Sequence, residues 1–169
     1  MVILPTSMEH TVFISLGSNL GNRRAWLQQA SYLIDSEAGK VIKSSGIYET
    51  SAWGKTDQPN FLNQVLQVTS SLAQDNLLHA LLAIENTMGR TRTEKWGERT
   101  IDIDILFYDS IIWKSESLTL PHPFIQDRKF ILVPLAEIAA DFIHPSLNKT
   151  VGQLLKECTD PLEVKLFKD

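Results

Sequence analysis

Residues 90–105 read RTRTEKWGERTIDIDI, and this stretch decides how the rest of the chain is interpreted. Its second half alternates two aspartates, Asp102 and Asp104, with three isoleucines. Alternation with period two indicates a β-strand, so we expect both carboxylates on one face and the isoleucines on the other, in a core. Side chains on the same face of a strand stand roughly 6.5–7 Å apart. The stretch therefore predicts a strand that presents two acidic groups side by side.

The first half of the same stretch is basic, because Arg90, Arg92, Lys95 and Arg99 lead directly into the aspartates. Two such carboxylates can hold one Mg²⁺, or a pair of ions about 3.5–4 Å apart as in two-metal phosphoryl chemistry. A guanidinium group stays charged and forms paired hydrogen bonds to phosphate oxygens. The order predicts a site for a metal-bound polyphosphate. The alternatives are a strand with an ordinary polar face and a solvated charged loop.

Composition limits the classes of protein to consider. The chain has 169 residues, of which 43% are hydrophobic and 21% charged, as expected for one globular domain. A formal net charge of −4 argues against general binding to nucleic acid or to an anionic membrane. The single cysteine, Cys158, excludes an internal disulfide and fits a reducing compartment. No stretch approaches the ~20 apolar residues of a membrane span. We therefore expect a soluble, cytoplasmic protein without nucleic-acid or membrane partners. We also expect a monomer, with weak self-association as the alternative.

Hydrophobic periodicity predicts the order strand, helix, strand, strand, helix, strand. The strands are expected at 11–17, 40–50, 61–72 and 100–108, and the helices at 23–36 and 74–88. Asn22 is placed to cap the first helix and Gly89 to end the second in a left-handed conformation. This order is the split-βαβ, ferredoxin-like arrangement, an α+β fold whose mainly antiparallel sheet is covered by helices.

Further elements should follow this βαββαβ core as C-terminal additions. We expect a short strand or hairpin near 111–113, a helix over 129–138 whose start must accommodate Pro134, and a last helix over 151–156. Residues 1–10 are expected to form a disordered N-terminal extension, and residues 11–169 a single domain.

Three other motifs have both a structural and a functional interpretation. The turn at 17–21, GSNLG, lacks the Lys-Ser/Thr of a Walker loop and the third glycine of a dinucleotide fingerprint, so a structural turn is favoured over a supporting part in the site. His122 lies between two prolines, which hold the backbone extended and would orient its imidazole for a nucleotide contact. Phe61 and Asn63 share a strand face and could hold a flat heterocycle, or they could be core and edge residues.

These residues together resemble a known family. Residues 96–106, WGERTIDIDIL, closely resemble the signature of the 6-hydroxymethyl-7,8-dihydropterin pyrophosphokinase family of folate biosynthesis. Further landmarks occur in the same order, and together they run from about residue 11 to residue 157: GSNLG at 17–21, YET at 48–50, QP at 58–59, FLN at 61–63, Glu85, Gly89-Arg90, PHP at 121–123, RKF at 128–130 and PL at 134–135.

The resemblance implies transfer of diphosphate from ATP to the hydroxymethyl group of the pterin, releasing AMP. It implies that Asp102 and Asp104 hold two Mg²⁺ ions, and that Arg90 and Arg92 lie on a catalytic loop that closes over ATP. The ATP-binding positions would be Glu85, Trp96, Arg99, Ile105, Thr119, His122 and Arg128. The pterin-binding positions would be Thr50, Trp53, Phe61, Asn63 and Phe130, with the ring held between the two phenylalanines.

The chain departs from the family pattern at two places, and two other functions compete. Residues 51–53 read SAW where many members have one or two prolines, and Phe124 replaces a common arginine. A metal-dependent phosphohydrolase would also use Asp-x-Asp and arginines, but it needs a group to position water, and no additional His or Glu cluster lies near Asp102 in the sequence. An RNA-binding ferredoxin-like module would need an aromatic-rich signature that is missing.

Overall fold

The computed structural model describes residues 7–52, 57–89 and 99–168. Its elements, in chain order, are β1 (His10–Ser18), α1 (Arg23–Glu37), β2 (Lys40–Ser44), β3 (Tyr48–Thr50), β4 (Phe61–Ser70), α2 (Gln74–Thr87), β5 (Asp102–Tyr108), β6 (Trp113–Lys114), β7 (Thr119–Leu120), a 3₁₀ turn (Ile125–Asp127), α3 (Lys129–Ala139), α4 (Val151–Glu157) and β8 (Val164–Leu166). Among the described helices, none combines the length and the apolar character needed to cross a membrane.

The main sheet has the strand order β5-β1-β4-β3-β8, and β2 also pairs with β4. Every pairing between its described strands is antiparallel. Helices α1 and α2 pack on one face around one apolar cluster, and α3 and α4 pack on the other face around a second cluster. The predicted α+β, ferredoxin-like core is confirmed, with helices on both faces of the sheet.

The predictions made from local sequence signals agree closely with the structure. The side chain of Asn22 accepts a hydrogen bond of 3.1 Å from the backbone N–H of Ala25, at the start of α1. Gly89 follows α2 with φ +77°, in the left-handed region that glycine occupies without strain. β6 and β7, each two residues long, form a hairpin close to the place where a short strand or hairpin was predicted.

Strand boundaries differ from the prediction by one or two residues at several ends, and one predicted strand is divided. The predicted strand 40–50 is two strands, because the hydroxyl of Ser45 accepts from the N–H of Val65 at 2.9 Å and donates to the carbonyl of Gly46 at 2.7 Å. β1 begins at His10, one residue inside the predicted extension, because His10 pairs with Ser70 of β4; its ring also lies 2.7 Å from the Asp109 carboxylate. Residues 1–6 lie outside the described residues, so their predicted disorder stays a prediction.

The last third of the chain contains one helix and one strand that differ from expectation. Pro134 lies at the sixth position of α3, inside the helix and not near its start. β8, which pairs with β3, was not predicted. The last helix begins where predicted, at Val151, and its first turn is held by a capping box between Thr150 and Gln153.

A close backbone approach at Gly39 gives a first test of the fold. A Cβ atom at this position would lie 2.6 Å from the carbonyl oxygen of Thr69 and 2.9 Å from the Cβ of Ser70. We expect Gly39→Ala to lower the free energy of unfolding by about 1–3 kcal/mol, since β4 or the start of β2 must shift. Urea unfolding followed by circular dichroism measures the change.

Gly152→Ala is the matched control, because its added Cβ would approach no described atom closer than 3.4 Å and lies in helix α4. Alanine there should leave stability unchanged or raise it by up to about 1 kcal/mol. Equal destabilisation by both substitutions would contradict the steric argument.

A buried histidine gives a second test. His144 is 4% exposed, its ring lies edge-on to Phe107 at 5.4 Å, and its Nδ1 accepts hydrogen bonds of 3.2 Å from the N–H groups of Ser146 and Leu147. Burial lowers the pKa of His144 below its usual value of 6.5. The unfolded chain therefore takes up this proton first as the pH falls below 6.5, and the folded protein loses stability there.

We predict that His144→Asn reduces this acid sensitivity. The Oδ1 of asparagine replaces Nδ1 as acceptor for the same two N–H groups but does not titrate. The difference between the free energies of unfolding at pH 7.5 and pH 5.0 should be smaller in the variant than in the parent. An unchanged difference would show that His144 contributes nothing to the pH dependence.

Candidate active site

The site lies on the face of the sheet that α3 and α4 cover, where β5, β1 and β4 run side by side. Gly17 pairs with Asp102 on one side and Asn63 on the other, and Ser15 pairs in the same way with Asp104 and Val65. Paired residues of neighbouring strands point to the same face. A Cβ at Gly17 would lie 3.5 Å from Oδ1 of Asn63, so glycine keeps the space between acid and amide open.

This face forms an open cavity of about 740 Å³, counting the solvent space at its mouth. Eight of the residues predicted for the site line it: Thr50, Phe61, Asn63, Arg99, Asp102, Asp104, Arg128 and Phe130. The isoleucines that alternate with the aspartates are buried on the opposite face, as the period-two pattern predicts. The cavity therefore joins the acidic residues and the aromatic and amide residues in one space.

Arg99 and Asp102 form an ion pair at the acidic end. Nη1 of Arg99 donates to Oδ2 of Asp102 at 2.6 Å, and the two side chains are 21% and 22% exposed. Asn19 makes two hydrogen bonds to the backbone of Arg99. The N–H of Arg99 donates to Oδ1 of Asn19 at 2.8 Å, and the backbone N–H of Asn19 donates to the carbonyl of Arg99 at 3.1 Å. Arg99, the last cationic residue of the basic run, is thereby held beside the end of β1.

Asn19 is a site residue that the sequence argument did not single out. Its Nδ2 also donates to Oε1 of Gln58 at 3.2 Å and to the carbonyl of Pro59 at 3.3 Å, just before Phe61. The turn that contains Asn19 thus connects the acidic and the aromatic parts of the cavity. The signal that could have indicated this role is a short amide side chain between two glycines after a buried strand.

Arg128 approaches the aspartates from the start of α3. Burial lowers its pKa, while the charges of Asp104 and Asp102 act in the opposite direction, and a guanidinium group remains charged in any case. Its guanidinium carbon lies 4.8 Å from the ring centroid of Phe124 and 5.9 Å from that of Phe130. Phe124, where the family commonly has an arginine, therefore provides an aromatic face for the cation.

His122 is held in its neutral form. Burial lowers its pKa to about 4, the charge of Arg128 acts in the same direction, and Asp102 acts against them. Its Nδ1 accepts from the N–H of Phe124 at 3.2 Å, which assigns the proton to Nε2. Its own backbone N–H donates to the carbonyl of Leu106 on β5 at 2.9 Å. At neutral pH, His122 can therefore offer a ligand one neutral N–H donor.

The other end of the cavity combines an oriented amide with two aromatic rings. Nδ2 of Asn63 donates to the hydroxyl oxygen of Thr50 at 2.9 Å, and both side chains are buried. Phe61 comes from the sheet and Phe130 from α3, and both are half-buried at the cavity. The arrangement suits a flat heterocycle with polar edges.

Four of the described residues predicted to bind ATP do not line this cavity: Glu85, Ile105, Thr119 and His122, whose contacts are given above. Glu85 is 2% exposed, and its Oε1 accepts from the N–H of Ile103 at 2.8 Å, which ties α2 to β5. Ile105 is 4% exposed and packs in the core on the opposite face of β5, so only its backbone remains for a nucleotide contact. Thr119 is exposed on the β6–β7 hairpin. Trp53, Arg90, Arg92 and Trp96 lie outside the described residues.

A metal ion would find two carboxylates at the acidic end of the cavity. In the described part of the chain, no group of three or more His, Cys, Asp or Glu side chains could hold a metal by itself. Asp102 and Asp104 nevertheless share one half-buried face of β5. Mg²⁺ is commonly held by one or two carboxylates, with substrate phosphates and water as the other ligands. The two aspartates fit an ion that arrives with a polyphosphate.

Comparison with known proteins gives a consistent result. Residues 13–140 match the family model of 7,8-dihydro-6-hydroxymethylpterin-pyrophosphokinase (HPPK). The 2-amino-4-hydroxy-6-hydroxymethyldihydropteridine pyrophosphokinase of Aquifex aeolicus is 40% identical over 149 residues, which cover 88% of this chain and 92% of that protein. The enzyme of the same name from Haemophilus influenzae is 38% identical over 157 residues, covering 92% and 98%.

Longer proteins contain a similar region. The folic acid synthesis protein fol1 of Pneumocystis carinii is 40% identical over 149 residues, and the chain spans 20% of its length. A crystal structure of HPPK-DHPS from Plasmodium falciparum shares the fold with a TM-score of 0.73 at 16% identity, over 91% of this chain and 44% of that one. By the family model and the relatives of similar length, this chain belongs to the 7,8-dihydro-6-hydroxymethylpterin-pyrophosphokinase family.

Proposed function

We propose that the chain transfers diphosphate from ATP to the hydroxymethyl group of 6-hydroxymethyl-7,8-dihydropterin, releasing AMP, as a step of folate biosynthesis. The observation that carries the proposal is the shared cavity, in which Asp102 and Asp104 lie on the same sheet face as Asn63 and Phe61. The family membership supports the same reaction.

The acidic end receives the triphosphate. Asp102 and Asp104 would hold two Mg²⁺ ions, which would supply positive charge beside the phosphates. Arg99 and Arg128 donate hydrogen bonds to phosphate oxygens. Since a guanidinium group has five N–H donors, Arg99 can keep its bond to Asp102 while it binds phosphate.

The transfer step needs no protein nucleophile. The hydroxymethyl oxygen forms a bond to the β-phosphorus, the bond from that phosphorus to the oxygen bridging to the α-phosphorus breaks, and AMP leaves with the bridging oxygen. The hydroxyl proton is lost, and the Asp102 carboxylate is the candidate to receive it. The protein contributes mainly by aligning the reacting atoms and by placing positive charge around the phosphates.

The amide and aromatic end receives the pterin. Asn63, held by Thr50, hydrogen-bonds the polar edge of the ring, and Phe61 and Phe130 stack on its faces. Trp53 is proposed as a further pterin contact. On the nucleotide side, the proposed contacts are neutral His122, Trp96, Glu85, Thr119 and the backbone of Ile105. Arg90 and Arg92 are proposed to close over ATP and exclude water.

Oligomeric state, partners and cellular location complete the proposed function. We propose that the protein acts as a monomer on two small molecules, ATP and the reduced pterin, and that nucleic acids and membranes are not among its partners. We also propose a cytoplasmic location, in keeping with a single cysteine.

The reaction is tested by incubating the protein with ATP, Mg²⁺ and the reduced pterin, and by separating the products. AMP and the diphosphorylated pterin should form in equal amounts, and chelation of Mg²⁺ should stop the reaction. Formation of ADP or free phosphate in place of AMP would support a phosphohydrolase instead.

We predict that Asp102→Asn and Asp104→Asn each lower kcat by at least about a hundredfold, because a neutral amide holds Mg²⁺ poorly and leaves phosphate charge uncompensated. Melting temperatures should stay close to the parent value, since both side chains are only half-buried. Asp141→Asn, a change of the same kind at an exposed position, is the control and should retain full activity. Near-normal turnover in either β5 variant would contradict the metal assignment.

We predict that Asn63→Leu raises the KM for the pterin at least about tenfold and changes the KM for ATP much less, since the ring would lose its hydrogen-bond partner. Thr50→Val keeps the shape of its side chain but removes the hydroxyl acceptor that orients Asn63, so it should raise the pterin KM less. Steady-state kinetics with each substrate varied separately measures both. Equal effects on the two KM values would argue against a pterin site at this end of the cavity.

A further inference from the structure

Residues 158–168, which we call the strap, connect the two walls of the pterin end. After α4 the strap passes the start of α3, where Oδ2 of Asp160 accepts from the backbone N–H of Lys129 at 3.0 Å. It then forms β8, in which Val164 pairs with Thr50. The N–H of Phe167 donates to the carbonyl of Ile47 at 2.8 Å and continues this attachment. One short segment therefore touches both α3 and β3.

The first turn of α3 depends on a partner from outside the helix. Arg128 occupies the N-cap position, and an arginine side chain has no oxygen to accept a helix N–H. Pro134 has no N–H, so it cannot donate to the carbonyl of Phe130 four residues earlier. The Asp160 carboxylate supplies an acceptor for Lys129, and its negative charge also suits a helix N-terminus.

The carboxylate of Asp160 is itself held in position. Its second oxygen, Oδ1, accepts from the N–H of Leu162 at 3.0 Å, so the strap fixes the direction in which the side chain points. The hydrogen bond to Lys129 is therefore made by a preoriented group.

The other end of α3 has separate contacts with the sheet. The Glu137 carboxylate accepts from the N–H of Gly46 at 3.0 Å and from the hydroxyl of Tyr48 at 2.5 Å. The hydrogen bond to Glu137 raises the pKa of Tyr48 to about 12, so this contact persists across the working pH range. Phe130 lies near the end that Asp160 caps, one residue after Lys129.

We infer that Asp160 is a positioning residue for the proposed reaction: by capping α3 it holds Phe130 opposite Phe61 and so shapes the pterin end of the cavity. The inference rests on the proposed function, because it assigns Asp160 to the binding of the pterin. Asp160 does not line the described cavity and acts through the helix.

The test compares Asp160→Ala with Glu163→Ala in the full chain. Glu163 lies on the same strap and carries the same charge, but it pairs only with Lys165 among the contacts described, at 3.2 Å between exposed side chains. Asp160→Asn keeps one acceptor oxygen and serves as the conservative variant. The measurements are the KM for each substrate, the melting temperature, and amide hydrogen exchange at residues 129–133.

In Asp160→Ala we expect faster amide exchange at residues 129–133 and a pterin KM raised about threefold to tenfold, a larger change than that of the ATP KM. Asp160→Asn should fall between this variant and the parent, and Glu163→Ala should match the parent. A lower melting temperature with an unchanged pterin KM would overturn the inference, as would unchanged exchange at residues 129–133. An inactive parent protein would contradict the proposed function itself and with it the role of Asp160.

Discussion

Burial of Ile101, Ile103 and Ile105 beneath α1 and α2 determines where the chemistry of this protein can occur. Since side chains alternate along a strand, packing these isoleucines in the core forces Asp102 and Asp104 onto the opposite face. A slip of one residue would bury both carboxylates and expose the isoleucines, at a large cost in free energy. The packing under α1 and α2 thus fixes the register of β5, and that register places Asp102 beside Gly17 and Asp104 beside Ser15.

The parts of the structure that depend on local periodicity and on caps could be predicted from the sequence. Asn22 and Gly89 act within one turn of their helices, so their neighbours in the chain determine their role. The break between β2 and β3 could not be found in this way, because Ser45 bonds to Val65, twenty residues away. β8 is only three residues long, and its partner β3 lies more than one hundred residues earlier in the sequence. Periodicity carries no information about such contacts.

The candidate site shows the same division. The residues that face the cavity from β4 and β5 follow from alternation and from the family resemblance. Asn19 was noted only as part of the turn at 17–21, and Asp160 was not noted, because their roles lie in hydrogen bonds to backbone groups of distant segments. Phe124 is a third case. It stands where the family commonly has an arginine, so one cation is absent, but the ring of Phe124 packs against the guanidinium group of Arg128. Such a replacement changes how the arginine is supported while leaving its charge in place.

The pairing of β3 with β8 has a consequence for synthesis in the cell. Thr50 can pair with Val164 only after the ribosome has added a further 114 residues. At typical elongation speeds this delay is roughly 6 to 23 seconds. During that interval the edge of β3 that later pairs with β8 lacks its partner, and an unpaired strand edge is a template for pairing with other chains.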